Sequence, residues 1–115
     1  MPAYLELFAK AFIDKAVSDG IDYEIAKKLT CESIISSASL ILSSDESIEQ
    51  LIKNVCSKGG TTLAGLDKLY EYKFEEAIYE CMDACRDRSK ELSKWKYKAE
   101  VYSSAFVSFF SFNSL

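Results

Sequence analysis

The chain has 115 residues, with four cysteines, one proline, four glycines and no histidine. One domain is expected at this length, burying roughly 60% or somewhat more of its unfolded surface without disulfide or metal staples. The missing histidine excludes Ser-His-Asp and Cys-His triads, HExxH zinc sites and imidazole acid–base chemistry. A net charge of −4 makes nucleic acid a poor partner.

An apolar content of 49% against 28% charged residues places the chain among soluble globular domains. A complete nucleotide-binding domain with a substrate domain would need about twice this length, so a cofactor-dependent enzyme on this chain alone would be incomplete.

Pro2 fits the first position of a helix, where a missing N–H costs nothing. Tyr4, Leu5, Phe8, Ala11, Phe12 and Ala16 then recur with a period near 3.6. Gly20 lies just past Val17 and Ser18 and supplies a helix stop. Asp22 caps a second helix over about 23–43, with Ile25, Ala26, Leu29, Ser33, Ala38, Ile41 and Leu42 as its apolar positions. Ser36, Ser37 and Ser39 leave two readings of that helix: a tight crossing with another helix, or a partly exposed face.

Ser47 and Gln50 have capping-box spacing ahead of a short helix over about 48–56. Ile48, Leu51, Ile52 and Val55 share one side of it. The glycine pair Gly59-Gly60 separates it from a fourth helix over about 62–72, which carries Leu63, Leu66, Leu69 and Tyr70. A last helix begins near Phe74 with Ala77, Ile78, Cys81, Ala84, Cys85 and Leu92. No strand pattern occurs, so the fold class is all-α.

The cysteines, at 31, 56, 81 and 85, lack the paired knuckles of a zinc ribbon, and no metal is expected. Cys81 and Cys85 share one helix face and read as core filler. No signal-peptide pattern opens the chain, so a reducing, cytoplasmic setting with free thiols is expected.

Residues 93–115 carry seven of the fifteen aromatics. Residues 86–100 hold six Lys/Arg against three Asp/Glu, and residues 101–115 hold no charge. The uncharged run is shorter than the roughly 20 residues of a membrane-spanning helix. It fits packing against a partner subunit better than a membrane surface. This segment reads as a separate tail, helical or partly disordered.

Cys56-Ser57-Lys58-Gly59-Gly60-Thr61-Thr62 is the segment suited to chemistry. Glycines let a ligand approach the main chain, and a helix start offers unpaired N–H groups at its positive end. Together they make a small anion site suited to a carboxylate. The same letters also describe a plain loop with an N-cap. The segment is not a Walker loop, because Lys58 precedes the glycines and no strand leads in.

The run Val55-Cys56-Ser57-Lys58-Gly59-Gly60-Thr61-Thr62-Leu63-Ala64-Gly65-Leu66 resembles the V-x-S-P-G-G-T-T-x-x-G-L signature of pyrroline-5-carboxylate reductases. Phe74, Ala77 and Arg88-Ser89-Lys90-Glu91-Leu92 continue the likeness, and Pro2-Ala3-Tyr4 and Gly20-Ile21 with Glu24 and Ala26 precede it. It covers residues 2–92, the family's C-terminal helical domain.

The resemblance implies a helical bundle, residues 1–92, that interlocks with a second subunit as a homodimer, five such dimers forming a decamer. The complete enzyme reduces 1-pyrroline-5-carboxylate to proline with NADPH or NADH, in proline biosynthesis. The resemblance places the substrate carboxylate on Ser57, Gly59, Gly60 and Thr61, with Thr62 as the catalytic residue at the ring nitrogen. No cofactor is expected on this chain alone, since no G-x-G-x-x-G is present. A separate Rossmann polypeptide would complete a split enzyme.

Lys58 replaces the motif's proline, which removes a φ lock and adds a charge. Lys10 stands at a usual acid, Glu32-Ser33 at a usual Gln-Thr and Ser36 at a glycine. The alternative expectation is a non-catalytic helical interaction module that uses its aromatic tail.

Overall fold

The computed structural model describes residues 1–56 and 60–92. They form five helices: α1 (Pro2–Ser18), α2 (Tyr23–Ser43), α3 (Ile48–Cys56), α4 (Gly60–Glu71) and α5 (Phe74–Leu92). No strand occurs among the described residues. The tail expected at 93–115 lies outside them.

The turns follow from local chemistry. Gly20 sits at φ 102°, in the left-handed region. Its N–H bonds the Val17 carbonyl at 3.0 Å, and the Ile21 N–H bonds the Ala16 carbonyl at 3.0 Å. That pair of bonds is a Schellman stop, which satisfies carbonyls the helix end would orphan. Asp22 then accepts from the N–H groups of Glu24 (3.1 Å) and Ile25 (3.4 Å) to start α2.

Ser47 caps α3 by accepting from the Gln50 N–H at 3.1 Å. The Gln50 side chain runs forward, however, donating to Asn54 at 2.9 Å, while Asn54 donates to Glu46 at 3.0 Å. The spacing of Ser47 and Gln50 therefore yields a serine cap and a polar ladder along α3.

The joint between α4 and α5 is Tyr72-Lys73. Lys73 has φ 58°, the one positive φ at a non-glycine among the described residues. Its N–H bonds the Tyr70 carbonyl at 3.0 Å, and its own carbonyl accepts from Ala77 at 2.9 Å. One residue thus ends α4 and opens α5.

The described residues fall into two compact units, residues 3–63 and residues 1–2 with 64–92. In the first, α1 and α2 form an antiparallel hairpin. Ile13 and Ala26 are its buried apolar side chains. Ala26 belongs to the stripe expected for α2. Ile13 falls outside the α1 stripe of Tyr4, Leu5, Phe8, Ala11, Phe12 and Ala16, although Phe8 and Phe12 of that stripe also line a groove against α2.

Two grooves flank that contact. One, about 230 Å³, is lined by Phe8, Phe12, Leu29, Thr30, Ser33 and Ile34. Its two phenylalanine rings lie 4.9 Å apart at a 51° tilt. The other, about 480 Å³, runs along Ala9, Ile13, Tyr23, Lys27 and Cys31.

Most other large apolar residues are bare. Leu7 is 66% exposed, Ile35 65% and Leu42 88%. Ser36, Ser37 and Ser39 are exposed as well, so within this chain the serine stretch is an open face. The thiols are free; Cys31 is exposed, and Cys56, Cys81 and Cys85 are half-buried. The filler role expected for Cys81 and Cys85 is therefore only partly met within one chain.

The ion pairs add little to this. Lys10–Asp14, Lys15–Asp19, Lys68–Glu71, Arg86–Asp83 and Arg88–Glu91 link neighbouring turns of single helices at the surface. Such pairs support a helix locally and are weak in water. They do not hold helices to one another. No helix among the described residues is long and apolar enough to cross a membrane.

Candidate functional site

The sequence reading starts α4 near Thr62; the helix starts two residues earlier, at Gly60. Gly60, Thr61 and Thr62 are therefore its first turn, and all three are exposed. Ser57, Lys58 and Gly59 lie outside the described residues. The structure thus places three of the expected site residues on one helical turn.

That turn has a definite chemistry. The N–H groups of a helix's first turn have no intrahelical acceptors; among the described residues these are Gly60, Thr61 and Thr62. The macrodipole concentrates partial positive charge at the same end. In α2, α3 and α5 a first-turn carboxylate meets that charge: Glu24, Glu49, and Glu75 with Glu76. The first turns of α1 and α4 contain no acid.

Gly60 adds a further observation. Its φ is not in the left-handed region, and a Cβ built there meets nothing within 4 Å. Within one chain, neither backbone geometry nor packing calls for glycine at this position.

The site residues line neither groove of the α1–α2 hairpin. In the larger groove Tyr23, Lys27 and Cys31 recur every fourth residue of α2, facing Lys10 and Asp14 of α1. That spacing is readable in the sequence, but the facing residues emerge only from the hairpin. Lys10 is held above its usual pKa by its hydrogen bond to Asp14 and by that carboxylate's charge. No three of His, Cys, Asp and Glu gather into a metal site among the described residues.

A dinucleotide pyrophosphate calls for a glycine-rich turn leading from a strand into a helix. The sequence has no G-x-G-x-x-G, and the described residues are helices and turns. These residues do not fit a nicotinamide nucleotide.

Comparison with known proteins gives this helical arrangement its relatives. A family model described as pyrroline-5-carboxylate reductase dimerisation matches residues 1–92. Pyrroline-5-carboxylate reductase 2 of Bacillus subtilis is 37% identical over 93 residues, which is 81% of this chain and 34% of that protein. The Synechocystis pyrroline-5-carboxylate reductase is 39% identical over 93 residues, 81% of this chain and 35% of the relative. The chain thus spans about a third of the length of the curated relatives it matches.

The crystal structure of Plasmodium falciparum pyrroline carboxylate reductase with NADP bound superimposes with a TM-score of 0.70 at 34% identity. It covers 72% of this chain and 32% of its own. With the family model spanning residues 1–92 and the solved structure repeating the same helical fold, the chain belongs to the pyrroline-5-carboxylate reductase dimerisation family.

Proposed function

We propose that this chain is the dimerisation and substrate-loop domain of an oxidoreductase that reduces 1-pyrroline-5-carboxylate to proline, in proline biosynthesis. The observation that carries this reading is the first turn of α4. It presents Gly60, Thr61 and Thr62 at an exposed helix start without a first-turn acid, inside a domain of this family. The amides of Gly59, Gly60 and Thr61, with Ser57, bind the substrate carboxylate. Glycine at 60 keeps that approach open, which accounts for a glycine that the chain's own packing does not require.

Thr62 is the residue at the reacting centre. It presents its hydroxyl to the ring nitrogen, which must gain a proton as the imine is reduced. NADPH or NADH supplies the hydride, and the residues that hold it lie in a Rossmann domain or a separate polypeptide, not among those described. The chain's share of the work is to bind and orient the imino acid. The bare apolar faces support a homodimer in which a second copy covers them. That dimer is the unit from which a decamer would be built, in the cytoplasm.

Adding proline or a saturated ring carboxylate to the labelled protein should shift the amide resonances of Gly59 and Gly60. Thr62→Ala should weaken that binding about tenfold, or about 1.4 kcal/mol. No shift at millimolar ligand would overturn the substrate-loop reading. It would leave the second reading, a non-catalytic helical interaction module, which Lys58 at the motif's proline position favours.

A further inference from the structure

We draw no further inference here: the strongest candidate, the apolar groove between α1 and α2 lined by Phe8, Phe12, Leu29 and Ile34, is an unpartnered face, and nothing in the structure shows what covers it.

Discussion

Two single residues turn the chain at opposite conformational cost. Gly20 holds φ 102° with open space where a Cβ would stand. Gly20→Ala should therefore destabilise the protein by about 1–2 kcal/mol through backbone strain, without crowding. Denaturant titration at fixed protein concentration measures this, and an unchanged midpoint would refute it. Lys73 holds φ 58° with a side chain that gains nothing from that region. Lys73→Gly should stabilise by about 0.5–1 kcal/mol, the relief of strain outweighing the entropy glycine loses on folding. Gly20 was legible as a stop because glycine before an Asp cap is a familiar pattern. Lys73 was not, because lysine carries no local signal for a left-handed turn.

At the scale of elements, periodicity and caps located the five helices of the described residues. The start of α4 is the informative difference. A pair of glycines followed by two threonines reads as loop and cap, yet the helix takes Gly60 into its first turn. The shift gathers the N–H groups of Gly60, Thr61 and Thr62 onto one helix end, which a loop would have scattered. In α5, Tyr79 is raised above its ordinary pKa, first by the charge of Glu75, then by donating a hydrogen bond to that carboxylate at 3.3 Å, with smaller contributions from desolvation and Glu76. A raised pKa means that the folded state holds the proton longer. Its contribution to stability is full below the unfolded value near 10 and is lost as pH rises through the folded value. In an absorbance titration of the tyrosines, Tyr79→Phe should remove a late-ionising component. An unchanged alkaline end of the curve would count against the Glu75 contact.

For the whole molecule, the decisive fact is how little one chain buries. Ile13 and Ala26 are its buried apolar side chains among the described residues, while Leu42 remains 88% exposed. Isolated helices of 9–21 residues are marginal in water without an apolar face to pack. Surface ion pairs do not replace that packing. Light scattering should therefore show a dimer or larger species at micromolar concentration; a well-behaved monomer would sink the proposed architecture. Leu42→Asp should weaken association at least tenfold, about 1.4 kcal/mol. At a site that stays exposed, the same change would fall within about 0.5 kcal/mol and leave the mass unchanged.

The sequence alone determined the helices, the Gly20 stop and the family, because periodicity, capping and a long ordered motif are properties of neighbouring residues. It also singled out the glycine-threonine segment, since close backbone approach and a helix start both leave marks in residue type. Only the tertiary structure decided which apolar residues are spent within the chain. The period of α1 runs through Phe8 and Phe12, which line a groove against α2, but the side chain that the contact buries is Ile13. The serine stretch of α2 allowed a crossing or an open face, and Ser36, Ser37 and Ser39 are exposed in one chain. Burial depends on what comes to lie opposite a residue, and local sequence does not record that.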